Sequence, residues 1–452
     1  MTSSYSEADR AVDLRKFLFA NKTRIVILFL SLVCLSNLQA NTITLNFTVI
    51  CMNDVIEEQK ANSTEPHWLE NQGDISLAFS SVAFGAIAGT LPIVPLFDRF
   101  GVRYIFTIYG LVSAVGTLAM PFCVSIGFYA VLFARMLQGA GFSVLFSAMG
   151  AIAERWSVLA ELSTYIAILS SSLQMSSIVT MPLAGVLCES SLGWRALYYF
   201  LGTFTLLSQI VFFFFYQDQP GLHRNVSHKE VRKISIGKAP TTKTGVPYKA
   251  MCQNKVVLGI WLSAIGGNLG FMMLLQYGPT YLNKVLQLDV RETGFATALP
   301  FVLAALVKFV AGPVSDNAVC VSERVRVIMF ATASQGALAV GYVVMALTTS
   351  REVAQISYTA SIVMSSINIV GVYKCAQMVA RQHVHFVFAV ISFTACFNTL
   401  LLPLAVGFAC PDNTSEQWSR LLIGIAIITV ITNIPFPFVA TVEPADFTKT
   451  RV

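Results

Sequence analysis

No aspartate, glutamate or histidine occurs in the long apolar stretches of this 452-residue chain. Those stretches therefore hold no general acid–base pair for covalent catalysis, and a proton relay inside them has no carboxylate or imidazole to use. Charge is scarce throughout, 12% of residues against 55% hydrophobic, which excludes an ordinary soluble domain. The nine cysteines, at 34, 51, 123, 188, 252, 320, 375, 396 and 410, form no C-x-x-C pair, so they point to neither a metal site nor a disulfide framework. No signal-peptide cleavage pattern precedes the first apolar run, which is expected to remain as a span.

What is there is a series of twelve apolar windows, each long enough to cross a hydrocarbon core of about 30 Å as a helix. They run 25–50, 75–97, 104–124, 127–152, 162–187, 196–216, 256–281, 293–313, 325–347, 353–374, 386–410 and 418–440. The expected fold class is an all-α membrane protein with twelve transmembrane helices in two six-helix bundles. A cytoplasmic N-terminus puts 22 of the 30 Lys and Arg on the inner side, six in outer loops and two within spans, which sets the orientation. The N-x-S/T sequons at Asn62 and Asn413 then fall in outer loops and are candidate glycosylation sites, whereas those at Asn21, Asn46 and Asn225 do not. The basic balance comes from the inner loops and gives no reason to expect nucleic acid.

The chain divides into a cytoplasmic tail (1–24), an N-terminal bundle (25–216), a basic cytoplasmic linker (217–255), a C-terminal bundle (256–440) and a cytoplasmic tail (441–452). FDRFGVR (97–103) and GPVSDNAVCVSERVR (312–326) each follow the second helix of their half, with an acid at the helix end and bases beyond. The repetition marks Asp98, Arg99, Arg103 and Asp316 as a conformational latch on the inner side, the acids pairing with bases or capping a neighbouring helix.

FDRFGVR, RMLQG (135–139), PLAGVL (182–187) and GWRALYYFLG (193–202) resemble motifs of the major facilitator superfamily. NFTVI (46–50), WSVLAELST (156–164), LQYGPTYL (275–282) and TALPFVLA (297–304) follow its anion/cation symporter branch, which includes type I sodium/phosphate cotransporters, sialin and vesicular glutamate transporters. The resemblance implies the major facilitator fold, alternating access and no enzymatic activity or cofactor. It also implies a small organic anion or phosphate as substrate.

Arg135 is a cation in an apolar run, and an ionised side chain in hydrocarbon costs at least roughly 2.5–3.5 kcal/mol. Two readings stay open. It braces the bundle by donating to backbone carbonyls and to Gln138 or Gln174, or its five-donor fork receives the acid group of a substrate. Lys308 either snorkels towards inner water or turns inward as a second positive charge. Gln39, Asn41 and Asn46 in the first helix, Asn268, Gln276 and Tyr277 in the seventh, and Asn368 in the tenth are candidate cavity linings. The serine run 170–177 reads as close helix packing and is left outside the site. Gly-Gly-x-x-Gly at 266–270 reads first as packing and second as a loosened helix.

Vesicular members of the branch carry further charged groups where this chain has Thr44, Phe79, Phe142 and Gly267. The departure weakens proton coupling; sodium coupling through neutral oxygens such as Asn46 or Thr48, uniport and exchange stay open, as does a non-transporting receptor derived from a carrier. A monomer is expected, with a weak PDZ-type ligand at the C-terminal KTRV. Either the plasma membrane or a vesicular or lysosomal membrane fits the short tails.

Overall fold

The computed structural model describes residues 19–62, 66–158, 161–236, 247–317 and 321–448. It contains the twelve expected spans: α1 (Thr23–Thr48), α2 (Gln72–Thr90), α3 (Arg99–Ile126), α4 (Phe128–Trp156), α5 (Thr164–Glu189), α6 (Gly193–Phe215), α7 (Lys255–Val285), α8 (Val290–Lys308), α9 (Glu323–Leu347), α10 (Arg351–Ala380), α11 (Phe386–Ala409) and α12 (Ser415–Val439). The shortest of these helices is α2, at 19 residues, still enough to span about 28 Å, whereas the α8 helix continues past Lys308 to Asn317. The protein is a multi-pass membrane protein.

Local chemistry sets the packing. Within the N-terminal bundle, a Cβ at Gly85 would strike the Met136 carbonyl and one at Gly139 the Val82 carbonyl, so α2 and α4 approach backbone to backbone. Gly266, Gly267 and Gly270 lie against Thr432, Gln335 and Leu338, and α7 stays helical through them. Those glycines serve packing and leave no break.

The cysteines correct the sequence reading: Cys51, just past α1, and Cys188, near the end of α5, form a disulfide across 137 residues. Scattered spacing hides such a pair, because bundle topology brings the two helix ends together. We call this side of the molecule the disulfide face and the opposite side the linker face.

The apolar core is distributed unequally between these faces. Near the disulfide face one cluster runs through both bundles, from Leu45, Phe79 and Trp194 to Tyr277, Leu402 and Trp418. Near the linker face the buried cores are separate, one built from residues such as Phe106, Trp156 and Phe212, the other from Val257, Cys375 and Phe436. The buried apolar core is continuous between the bundles near the disulfide face and divided between them near the linker face. Along the seam, α5 runs antiparallel to α8: Gly185 meets Arg291, Gly294 meets Met181, and Ser170 meets Lys308.

Candidate functional site

Arg135 sits on α4 and is 1% exposed. Its Nε donates to the Ala78 carbonyl of α2 at 3.2 Å. One terminal nitrogen donates to the Thr42 carbonyl of α1 and to Gln138 Oε1, both at 2.8 Å, and the other reaches Asn46 Oδ1 at 3.5 Å. Gln138 is oriented in turn by donating to Thr117 Oγ1 on α3 at 3.1 Å. Tyr198 and Thr48 share a hydroxyl contact of 2.8 Å on the neighbouring helices α6 and α1. Every acceptor around the guanidinium is a neutral oxygen, and among the described residues no carboxylate pairs with it. The donors are partly satisfied while the charge is uncompensated, a combination that favours an incoming anion.

The other cavity candidates separate. Asn46 joins Arg135 directly. Gln39 and Gln276 are buried, and the side-chain oxygen of each has no hydrogen-bond partner, as does Asn368 Oδ1. Asn268 faces Tyr373 across the C-terminal bundle. Asn41 is a tie, its amide donating to Ser113 Oγ at 3.0 Å while its Oδ1 accepts from Thr205. Tyr277 forms the roof on the disulfide face, its ring 5.4 Å from Phe79 of α2 and 6.1 Å from Trp418 of α12. Tyr281 adds a contact of 5.7 Å to Trp418.

Lys308 does not belong to the Arg135 cluster. Arg135 lies seven residues into α4 and Lys308 eighteen into α8, both counted from the disulfide face, which are depths of about 10 and 27 Å. Nor does it snorkel: Lys308 Nζ donates to Ser170 Oγ on α5 at 2.7 Å. The serine run set aside as packing supplies that partner.

The linker-face latch includes an acid that the sequence motifs do not mark. The side chains of Asp98 and Asp316 lie outside the described residues. Arg103 donates from Nε to the Phe213 carbonyl at 2.7 Å and stacks over the Phe213 ring at 4.7 Å. Arg99 covers the ring of its neighbour Phe100. An acid described there is Asp218, just past α6, which accepts from the Val102 and Arg103 amides at 2.9 and 3.4 Å and pairs with Arg155. Gly101, at φ 81°, breaks the helix in the first turn of α3 and exposes these amides. Asking what caps that break is the signal that finds Asp218. The C-terminal bundle repeats the device, Arg324 Nε donating to the Ala440 carbonyl at 2.9 Å.

Residues 217–236 lie against the N-terminal bundle as well. Glu230, on a short helix His228–Ser235, accepts from the Arg24 amide at the start of α1 at 2.9 Å. Arg24 pairs with Glu161 at 2.9 Å.

On the disulfide face, Asp54 accepts from Trp194 Nε1 at 3.0 Å and Arg195 at 2.7 Å. His67, in the segment before α2, accepts at Nδ1 from the Leu69 amide; burial pushes its pKa down and the Glu70 carboxylate opposes that shift. Asn413 donates from Nδ2 to Gln72 Oε1 at 3.1 Å and accepts from Trp418 Nε1 at 3.2 Å. The glycan-accepting nitrogen of that sequon is thus engaged between the bundles. The Asn62 side chain and KTRV lie outside the described residues.

Residues 29–403 match the Major Facilitator Superfamily. Human sodium-dependent phosphate transport protein 1 is 24% identical over 446 residues, covering 90% of this chain and 94% of that protein. Human sialin is 27% identical over 250 residues, covering 55% of this chain and only 50% of its own length. Among solved structures, a bacterial homolog of the human lysosomal transporter Spinster superposes with a TM-score of 0.70 at 14% identity, covering 92% of this chain and 97% of that one. The xylose transporter XylE from E. coli gives 0.67 at 12% identity, covering 91% and 97%. Both structures support the fold, and the relatives place the sequence beside the anion/cation symporter branch. The chain belongs to the Major Facilitator Superfamily, a family of membrane transporters rather than enzymes.

Proposed function

We propose that this chain carries a small organic anion or phosphate across the membrane by alternating access, with Arg135 holding the anion and the two bundles rocking about it. The observation that carries the reading is the guanidinium itself, buried and surrounded by neutral oxygens only. Asn46 and Gln138 would orient the fork, and Gln39 and Gln276 would offer polar groups to the rest of the ligand. Tyr277, Phe79 and Trp418 would form the gate on the disulfide face. Asn268 and Asn368 line the opposite bundle in this reading, and Asp218, Arg155, Arg103 and Arg324 brace the linker face.

The linker face is the cytoplasmic one in this proposal. Disulfides persist in oxidising compartments, so Cys51–Cys188 favours the same orientation as the lysine and arginine distribution. The relatives' names, phosphate transport and sialin, support the substrate class. Coupling would use sodium, through neutral oxygens, more readily than a proton.

Reconstituted protein, given labelled phosphate, dicarboxylates, sialic acid, urate and neutral sugars, tests the reading. R135A in folded protein is expected to cut anion uptake by roughly 10- to 100-fold, the loss of one charge-assisted contact. Neutral-solute uptake insensitive to R135A would sink it. A second reading, in which Arg135 only braces α1, α2 and α4 for a neutral or cationic solute, is favoured by its four existing acceptors. Under that reading R135K keeps transport, because charge without the fork suffices.

A further inference from the structure

The lipid-facing stripe of α8 is Phe295, Leu299, Val302, Leu303, Leu306 and Val310, all exposed. Thr293, Thr297, Phe301 and Ala304 are buried on the opposite side. Continuing that spacing by one helical turn reaches Lys308, so the lysine points into the protein. Its partner is placed the same way. On α5, Met175, Val179 and Val186 are exposed, while Gln174, Ser177, Met181 and Ala184 are buried, and Ser170 falls on their side.

Lys308 and Ser170 therefore face each other across the seam between the bundles, on the linker-face side, where the two cores are separate. Lys308 is only partly buried there. The hydroxyl satisfies one donor of the ammonium and none of its charge. Beyond Ser170, the buried α5 stripe offers Gln174 Oε1 and Ser177 Oγ, which have no hydrogen-bond partner. A cation whose hydrogen-bond partner among the described residues is one exchangeable neutral hydroxyl, next to further polar side chains, has the makings of an anion site. The depth difference of about 17 Å puts it beyond the reach of a small ligand held by Arg135.

We infer that Lys308, with Ser170 and Gln174, forms a second anion station near the linker face, which takes an acid group after it leaves Arg135. The inference rests on the proposed anion-carrier reading and adds a separate site to it. The ammonium exchanges Ser170 for a carboxylate or phosphate oxygen, and Gln174, one turn further along α5, donates an amide N–H to the same group. Occupancy occurs while the linker face is open. Three donors on the ammonium allow Ser170 to be kept or released as the ligand's size requires.

The test uses the full chain in lipid nanodiscs carrying S170C, with inorganic phosphate and benzoate as probes. Alkylation of the introduced thiol by N-ethylmaleimide is read on its own peptide by mass spectrometry. Either probe, at several times its dissociation constant, is expected to slow alkylation roughly five-fold. Adding K308M, which keeps the volume and removes the charge, abolishes the protection; adding R135A leaves it. Monodispersity of each variant on size exclusion establishes folding, and K308R supplies a charged second variant that retains protection. No protection by either probe, or protection that survives K308M, overturns the station. Failure of the carrier reading shows elsewhere, as anion uptake unaffected by R135A, so the two outcomes are separable.

Discussion

The disulfide face carries several hydrogen bonds and ring contacts that cross between the bundles, whereas on the linker face the described contacts, Lys308 with Ser170 apart, close each bundle on itself. The crossing contacts are Phe79 on Tyr277, Asn413 with Gln72, Ser80 Oγ with the Leu400 carbonyl, and the Glu189 carboxylate on the Arg291 amide at the start of α8. The ion pairs Arg24–Glu161, Arg155–Asp218, Arg195–Asp54, Lys374–Glu323 and Arg351–Glu292 each lie within one bundle. Side-chain charges make the bundles rigid, and aromatic faces and amides hold them together. The ion pairs found among the described residues therefore need not break when the bundles separate, and their contribution to that barrier is small and nearly independent of salt.

Breaking the staple on the disulfide face should have the largest effect. C188S removes the only covalent tie among the described residues, between α1 and α5, and closure of a loop this long is worth about 2–4 kcal/mol. The expected result is a drop in thermal midpoint in detergent, with no further drop when C51S is added.

The linker face comes next. D218N keeps the size but removes the carboxylate charge from the pair with Arg155 and weakens the cap on Val102 and Arg103. A loss of about 1–3 kcal/mol is expected, confined to the N-terminal bundle. Hydrogen exchange that rises at the start of α3 and is unchanged in α9 would show the two latches to be independent.

Contacts between the bundles are individually weaker. N413A deletes one neutral hydrogen bond between them, worth about 1 kcal/mol, and should shift the equilibrium towards opening on the disulfide face by roughly five-fold. Spin-label distances between α2 and α12 read that shift. Because Asn413 Nδ2 is occupied in the closed state, N62Q should abolish glycan-dependent mobility and N413Q should leave it unchanged.

The smallest effect is that of pH at His67. Burial depresses its folded pKa, so the unfolded chain takes up the proton first and local stability falls as pH drops below the ordinary histidine value of about 6.5. Exchange at the Leu69 amide should speed up below that pH, and H67N should flatten the dependence, since its side-chain oxygen accepts without titrating.

Spans and bundles were legible in the sequence because apolar length and charge placement are local properties. Arg135 was legible too, since a lone cation in an apolar run stands out whatever surrounds it. Its acceptors at Ala78 and Thr42 were not: a carbonyl contact has no residue-type signature. The Cys51–Cys188 pair and Asp218 escaped for a related reason, as their partners are 137 and at most 116 residues away and are selected by topology. Lys308 was visible as a charge, but its direction became clear only once the lipid-facing stripe of α8 was known.

Two of the four oxygens around Arg135 belong to the main chain. Side-chain substitution cannot delete them, so a mutational scan of this pocket would register the arginine, Gln138 and Asn46 and miss half of the shell. An evolving lineage meets the same restriction. It can exchange the amides and retune selectivity, while the carbonyl cradle persists as long as α1 and α2 remain helices in register with α4.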